Sequence, residues 1–368
     1  MALTLHGTVS DNTVALDRKT ATPLIINGDM AIAQRGTSVT GITGTGYSTL
    51  DRFSLGLSNL GTWTQSQSTD VPNGQGFSNS LKLDCTTANA SPTGTNNMAI
   101  MQRFEGQNLQ MLNKGTSDSE VVTISFWVKS NKTGTYILEL RDADNVRIIC
   151  KAYTIDSANT WEKKLLSFAG DTTGTLDNDN NLSLHARWWL GAGSDFTSGT
   201  LATSWEASTN ANRAVGQVNL ADSTSNDWYI TGIQMEIGTF DANSIPPFQF
   251  EDRATSLARC QRYCYQEDNS DTYHNQVNGF FSSSTLFIGL LALPVALRST
   301  PTLVTSGDYQ TTGTGSLDAS SLTIVDSTGT DLNKIQVRAT VSGATAGQGT
   351  VLRNKNDANA IFRLDSEL

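Results

Sequence analysis

One short segment of the chain carries side chains that are suited to binding a sugar. Alternate residues of a β strand point to opposite faces of its sheet, so Ser183, His185, Arg187 and Trp189 would share one face. An indole can stack on the C–H face of a pyranose, while an imidazole and a guanidinium can bind its hydroxyl groups. His185, Arg187 and Trp189 are therefore glycan-binding candidates. The opposite face would carry Leu182, Leu184, Ala186, Trp188 and Leu190.

A structural interpretation of the same face is the default. A loop or a neighbouring subunit would cover it, and Arg187 would pair with a carboxylate. In that case the tryptophan would contribute to packing and would not meet a ligand.

Trp127 is the fourth glycan-binding candidate. It follows the same alternation in residues 122–129, where it would share the polar face of a strand with Thr123, Ser125 and Lys129. Half-exposure of this indole would make it available to a sugar. The alternative is that it packs under the loop of residues 171–181 or against the C-terminal domain.

A weak calcium candidate lies in the loop before this first segment. Asp177, Asp179 and Asn181 have the alternate spacing that opens a calcium-binding loop. Leu182 occupies the position of the EF-hand glycine, and the twelfth position lacks a bidentate Glu. A solvated turn is the default interpretation, and we expect no bound metal.

The spacing of the cysteines indicates a packing role and not a metal-binding or redox role. Cys85, Cys150, Cys260 and Cys264 form no close pairs with histidines at zinc-ligand spacing. We expect buried, reduced thiols, which suit folding in a reducing cytoplasm. No cofactor is indicated.

A catalytic site is not indicated either. The sequence contains no G-x-S-x-G nucleophile elbow, and its three histidines lie far apart. A glycosidase needs two facing carboxylates, but no pair can be singled out among 35 Asp and Glu. We therefore expect a protein that binds and is not an enzyme, although a site formed between subunits is an alternative.

Composition and charge narrow the class of protein. The 368 residues carry 25 Lys and Arg against 35 Asp and Glu, a net charge of −10. This balance excludes the dense basic face that nucleic-acid binding requires. The longest apolar run, residues 286–297, contains a Gly and a Pro and is too short to span a bilayer. We expect neither nucleic-acid binding nor membrane insertion, and residues 1–10 do not resemble a signal peptide.

The elements that would position these residues are short antiparallel strands. The chain contains 48 Thr, 37 Ser and 28 Asn, a composition that favours strands and turns over helices. Alternating segments recur with turn residues between them and without helical periods, which is typical of a jelly-roll sandwich. The alternation over residues 122–128 and 136–140, with a turn at residues 131–134, predicts a β-hairpin.

One short helix interrupts this pattern. Residues 252–266 place Leu257, Cys260 and Cys264 on one stripe, with Asp252 as a plausible cap. The stripe would pack on its own domain or along the three-fold axis of a trimer, so these residues are oligomerisation candidates. Pro246 and Pro247 mark a domain boundary near residue 250, and a smaller β-sandwich would follow.

Several strings of the sequence, in this order, resemble a known group of proteins. The chain is similar to tail-fibre and virion-appendage proteins of tailed bacteriophages, especially marine ones, over about residues 20–368. The strings are Asn27-Gly28-Asp29-Met30, Gln34-Arg35-Gly36, Tyr47, Asp51-Arg52-Phe53, Ser125-Phe126-Trp127-Val128-Lys129, residues 228–238, Phe248, Glu251-Asp252-Arg253, Cys260-Gln261-Arg262-Tyr263, Pro294-Val295, Arg298-Ser299-Thr300-Pro301 and residues 364–368.

The resemblance implies a virion structural protein, often trimeric, whose jelly roll is similar to carbohydrate-binding modules. We expect an anchoring arm at residues 1–22 that contacts another virion protein, a jelly roll at 23–250, and a helix with a small β-domain at 251–368. The expected role is a tail fibre or spike subunit that binds host-surface glycans. The alternative is a head- or tail-attached decoration or adaptor protein. Either would be assembled into the virion in the host bacterial cytoplasm.

Overall fold

The computed structural model describes residues 19–267, 271–313, 315–325 and 332–368. Within these ranges the chain is mostly β, with antiparallel strands throughout, which confirms the predicted fold class. Its contacts divide it into two compact units, with the boundary between Asp252 and Arg253. Most of the predicted arm, residues 1–18, lies outside the described residues.

The described part of the first unit contains β1 to β11, one short helix and four single-turn 3₁₀ helices. The helix α1 is Ser194–Thr197, and the 3₁₀ helices are Gly106–Asn108, Gln110–Leu112, Asn210–Asn212 and Leu220–Asp222. The strands are β1 Ser38–Gly46, β2 Ser54–Ser68, β3 Ser80–Thr87, β4 Asn97–Glu105, β5 Val122–Ser130, β6 Gly134–Asp142, β7 Arg147–Ile155, β8 Glu162–Phe168, β9 Leu182–Ala192, β10 Glu206–Ala207 and β11 Asp227–Ile237.

Strand β2 connects two layers of this unit. Its first half pairs with β4 in the order β10-β7-β6-β9-β4-β2, and its second half pairs with β3 in the order β2-β3-β11-β5-β8. Asn59 and Gly61, at the bend, have φ values of 49° and 80°. A Cβ at position 61 would lie 2.4 Å from the carbonyl oxygen of Thr87, so glycine permits both the bend and the close approach.

The core of the first unit lies between the two layers. Phe126 of β5 packs edge-on against Trp188 of β9 and Tyr153 of β7, with ring centroids 5.9 and 5.1 Å apart. Leu184 and Leu190 of β9 also belong to this apolar cluster. The predicted inward face of β9 is therefore confirmed.

The predicted hairpin at residues 122–140 is wrong. β5 pairs with β11 and β8, whereas β6 pairs with β7 and β9, so residues 131–133 cross from one layer to the other. The hydroxyl of Tyr136 donates to the carbonyl oxygen of Lys132 and holds this crossing. Alternation shows that a segment is a strand with one buried face, but a hairpin and a crossing between layers produce the same pattern.

The second unit, over its described residues, has two sheets and one helix. A sheet in the order β17-β16-β20-β13-β14-β19-β18 accompanies a smaller one, β12-β21-β15. The elements are α2 Arg253–Gln261, β12 Cys264–Gln266, β13 Asn275–Ser283, β14 Leu286–Ala292, β15 Thr302–Ser306, β16 Tyr309–Thr311, β17 Leu317–Ala319, β18 Ser321–Val325, β19 Lys334–Thr340, β20 Gly349–Asn354 and β21 Ile361–Asp365.

The helix is shorter than predicted, and this changes the proposed oligomerisation stripe. α2 ends at Gln261, and Cys264 lies in β12 opposite Asp365 of β21. Strand pairing supplies backbone hydrogen bonds that a helical period in the sequence does not reveal. Cys260 and Cys264 are wholly buried, and Leu257 is half-buried. Cys264 therefore does not share a helical stripe with Leu257 and Cys260, and that part of the prediction is wrong, while the oligomerisation role of these residues stays a prediction.

Candidate functional site

The structure separates the four predicted glycan-binding residues into two groups. His185, Arg187 and Trp189 lie on β9, on the outward side of its layer. Trp127 lies on β5 in the other layer. The two groups therefore belong to opposite outer faces of the sandwich and cannot bind one sugar together.

Trp189 is not available to a ligand. Its side chain is fully buried and its ring centroid lies 5.3 Å from that of Phe196. Residues 193–214 cover this part of the sheet and bring Phe196, Ala202 and Ala214 onto it. The prediction that Trp189 stacks on a sugar is therefore corrected, because a downstream segment that carries no strand signal occupies the position of the ligand.

The covered region contains a buried ion pair that the sequence did not reveal. The carboxylate of Glu139 in β6 accepts hydrogen bonds from Arg213, at 2.9 Å from Nη2 and 3.1 Å from Nε, and from Trp189 Nε1 at 2.7 Å. Arg213, and not the predicted Arg187, is thus the arginine that pairs with a carboxylate here. Glu139 lies between Leu138 and Leu140, and a charged residue within this apolar run was the one sequence signal of the arrangement.

Outside the region covered by residues 193–214, His185 and Arg187 lie near two further arginines, Arg103 and Arg141. Arg187 is half-buried and His185 is 6% exposed. Burial is the largest cause that lowers the pKa of His185, to about 2, and the charges of Arg187, Arg103 and Arg141 add to it. The imidazole is therefore neutral at physiological pH.

The outer face of the other layer has a different chemistry. We call it the aromatic face and define it as Lys82, Trp127, Lys129, Trp161 and Tyr229. Strand register brings these residues together: Tyr229 of β11 lies opposite both Lys82 of β3 and Lys129 of β5. Trp127 lies two residues before Lys129 on the same side, and Trp161 directly precedes β8.

Cation–π contacts organise one end of the aromatic face. Lys129 Nζ lies 4.2 Å from the centroid of the Tyr229 ring and 5.5 Å from that of Trp161. Asp70 accepts hydrogen bonds from Lys129 and, at 2.9 Å, from Trp161 Nε1. Burial would raise the pKa of Asp70, but these hydrogen bonds outweigh it and lower the pKa below its ordinary value. Asp70 therefore presents a carboxylate at neutral pH.

Trp127 is the member of the aromatic face whose side chain makes the fewest polar contacts with the rest of the protein. It is half-buried, and its indole N–H donates to no side chain or backbone group of the described residues. Thr231 and Lys163 flank it on the neighbouring strands. The predicted cover, the loop of residues 171–181, bonds instead to Lys114 and Asn145 elsewhere in the unit. Trp127 is thus placed for an external contact.

The calcium candidates do not converge on one point. Both carboxylate oxygens of Asp179 accept hydrogen bonds from Asn181, from its backbone N at 2.9 Å and its Nδ2 at 2.5 Å. In the described ranges, no group of three or more His, Cys, Asp or Glu side chains could hold a metal ion. The loop is therefore organised by its own hydrogen bonds.

Comparisons with known proteins identify no family. No protein-family profile matches the chain, and no curated protein matches it. Solved structures with limited likeness include the enzymatically active domain of bacteriophage CBA120 tailspike protein 4, with a TM-score of 0.31 and 13% identity, covering 58% of this chain and 21% of that chain. The present chain thus spans about a fifth of that tailspike structure.

Two further structures come from Clostridium thermocellum. The family 11 carbohydrate-binding module of the cellulase Lic26A-Cel5E has a TM-score of 0.27 and 13% identity, covering 54% of this chain and 98% of the module. The C-terminal family 22 module of Xyn10B has a TM-score of 0.26 and 12% identity, covering 52% and 88%.

Among the residues that the structure describes, no helix is both long enough and apolar enough to cross a membrane.

Proposed function

We propose that this protein is a subunit of a bacteriophage virion appendage, a tail fibre or spike, and that it binds glycans on the host surface. The aromatic face carries this proposal. It combines a half-exposed indole with an unused N–H at Trp127 and, on the same face, the ammonium groups of Lys82 and Lys129, which lie over the ring of Tyr229. The resemblance of the sequence to virion-appendage proteins supports the same role.

Binding at this face would use stacking and hydrogen bonds. The Trp127 indole offers a flat apolar surface for the C–H face of a pyranose, and its N–H can donate to a hydroxyl. Lys163, on the adjacent strand, supplies a further donor within the same face. A single open site of this kind binds weakly, and several copies on one particle would raise the overall affinity through avidity. The role is binding and not catalysis.

Screening the full-length protein on a glycan array tests the proposal. We expect Trp127→Ala to lower the affinity for the bound glycans by about tenfold, equivalent to about 1.4 kcal/mol. Phe280→Ala is the matched control, because Phe280 is a 48% exposed aromatic residue of the second unit. Equal effects of the two substitutions, or no glycan bound by the wild-type protein, would refute the proposal and favour a purely structural decoration or adaptor role.

Trimeric assembly and anchoring by residues 1–22 belong to the same proposal. Arms of this kind bind a partner through main-chain hydrogen bonds. A chain that lacks residues 1–20 should fold and yet fail to enter particles, whereas normal incorporation would refute the anchor. Light scattering of the full chain should give three times the monomer mass, and a monomer that is stable at every concentration would refute the trimer.

A further inference from the structure

Three adjacent strands of the β6-β9-β4 layer carry basic side chains on their outer face. Arg141 of β6 lies directly opposite His185 of β9, which in turn lies opposite Arg103 of β4. Arg187 follows two residues after His185 and therefore points to the same side. Directly opposite residues in an antiparallel sheet have Cβ atoms about 5 Å apart. We call Arg103, Arg141, His185 and Arg187 the basic cluster.

Two guanidinium groups of the basic cluster lack an anion. Arg141 and Arg187 make no hydrogen bond and no ion pair with any described residue, and their Nε atoms are buried. The carboxylate that faces Arg187 across the strands, Glu139, is already bound by Arg213. His185 is 6% exposed, and its Nδ1 atom also has no partner among the described residues. Several buried polar atoms thus converge at one place without being satisfied.

The pKa shifts of the basic cluster agree in direction with an excess of positive charge there. Burial lowers the pKa of Arg187 to about 10, and the neighbouring Arg213, Arg141 and Arg103 contribute in the same direction against the opposing charge of Glu139. Burial, and after it the charge of Arg213, lower the pKa of Arg141 against the opposing charge of Glu139. Half-buried like charges that share a single nearby counter-charge, Glu139, which already binds Arg213, cost free energy. The chain as a whole has a net charge of −10, so this local group of arginines is unusual. An anion bound from solution would balance its positive charge.

The packing around the basic cluster holds it in place. The Arg187 guanidinium carbon lies 5.1 Å from the centroid of the Trp189 ring, which is itself fixed by its bond to Glu139. The main-chain carbonyl of Arg103 accepts a 2.6 Å hydrogen bond from Arg52. The arginines therefore project from a rigid sheet and not from loops, which reduces the entropy lost on binding.

We propose that the basic cluster binds the anionic group, carboxylate or sulfate, of an acidic saccharide. This inference rests on the proposed glycan-binding function for the kind of molecule that is bound, but it concerns a different face from that of Trp127. Guanidinium groups bind planar or tetrahedral oxyanions through two parallel N–H donors. Arg141 and Arg187 would supply these donors, and the neutral His185 would add a hydrogen bond.

Isothermal titration of the full-length protein with three oligosaccharides of the same galacto configuration tests the inference. The ligands are neutral oligogalactose, oligogalacturonate and sulfated oligogalactose. We expect at least one acidic ligand to bind at least about tenfold more tightly than the neutral one. Comparison of the two acidic ligands identifies whether carboxylate or sulfate is the anion. Equal affinities for all three would overturn the inference.

Substitutions locate the site. We expect Arg141→Gln and Arg187→Gln each to weaken acidic-ligand binding by about tenfold, while the control Arg338→Gln, in β19 of the second unit, leaves it unchanged. Equal losses in all three variants would show a non-specific effect of net charge and overturn the inference. In the absence of ligand, Arg141→Gln should melt no lower than wild type, because it relieves repulsion between like charges.

The outcome for Trp127→Ala separates the two proposals. If neutral ligand binding depends on Trp127 and acidic ligands bind no better, the anion inference fails and the proposed function stands. If acidic ligands bind through Arg141 and Arg187 while Trp127→Ala has no effect on any ligand, the basic cluster is a site and the aromatic face is not.

Discussion

The Nε1 atom of Trp189 donates a 2.7 Å hydrogen bond to Oε2 of Glu139, a carboxylate with no solvent exposure. The bond joins β9 to β6 on the outer side of the sheet, beneath residues 193–214. Trp189, the residue that the sequence suggested for stacking on a sugar, is therefore part of a buried hydrogen-bond network. The consequences for stability and for binding follow from that burial.

Truncation of Trp189 and of Trp127 should change the stability of the protein by very different amounts. Trp189→Ala removes a buried indole and leaves a cavity, so we expect it to lower the free energy of unfolding by about 3–5 kcal/mol. Trp127→Ala, at a half-buried position, should cost about 1 kcal/mol or less. Urea denaturation of the first unit measures both. A similar loss for the two variants would contradict the assigned burial.

The Glu139–Arg213 pair should be costly to break. Glu139→Ala leaves the Arg213 guanidinium buried without its carboxylate, and we expect a loss of about 3–5 kcal/mol. The control is Asp318→Ala, which breaks the exposed ion pair between Asp318 and Lys355 and should cost less than about 1 kcal/mol. Denaturant midpoints at constant ionic strength compare the two, and a small effect at Glu139 would argue against the buried pair.

His185 should make stability depend on pH. Its folded pKa, about 2, is far below the value of 6.5 of an unperturbed histidine, so the unfolded state binds the proton first. The stabilisation is complete above pH 6.5 and is lost as the pH falls below it, by about 1.4 kcal/mol per pH unit. Unfolding free energies measured between pH 7 and 5 in wild type and His185→Gln test this expectation.

The His185→Gln variant should lose the histidine contribution to the dependence of unfolding free energy on pH, whatever its stability at pH 7. An unchanged slope in His185→Gln would show that the imidazole is not buried in its neutral form.

Gly28, in the string Asn27-Gly28-Asp29-Met30, should tolerate no side chain. A Cβ at this position would lie 2.1 Å from the carbonyl oxygen of Ile233 in β11. We expect Gly28→Ala to lower the free energy of unfolding by about 2–3 kcal/mol. Gly44→Ala, where a Cβ would meet no atom within 4 Å, should change it by about 0.5 kcal/mol or less. Thermal melts of both variants provide the measurement.

The cysteines should resist modification in the native protein. All four are free and buried, which confirms the sequence prediction, and burial raises the pKa of Cys85 and Cys150 above the ordinary value. A thiolate is the reactive form, so a thiol reagent should label none of the four quickly in buffer and all four in denaturant. Rapid native labelling of any cysteine would contradict its burial.

The sequence by itself determined the class of the fold and the identity of many strands. Alternation in β5 and β9 correctly assigned Phe126 and Trp188 to the core, because a strand with one buried face must repeat every two residues. The excess of Thr, Ser and Asn correctly indicated strands and turns. The string that begins at Asn27 marked a structural element: Asn27 Nδ2 donates to the carbonyl oxygens of Ile32 and Asp51.

The tertiary structure alone decided which outward faces stay open. Alternation assigned Trp189 and Trp127 equally to polar faces, and it could not reveal that residues 193–214 fold over one of them. The partner of Glu139 is 74 residues away, and the basic cluster forms because three strands distant in sequence become neighbours. Whether a strand face is covered, and how much charge gathers on it, depends on contacts between residues distant in sequence. The positions that remain open to a ligand therefore depend on the folded chain as a whole.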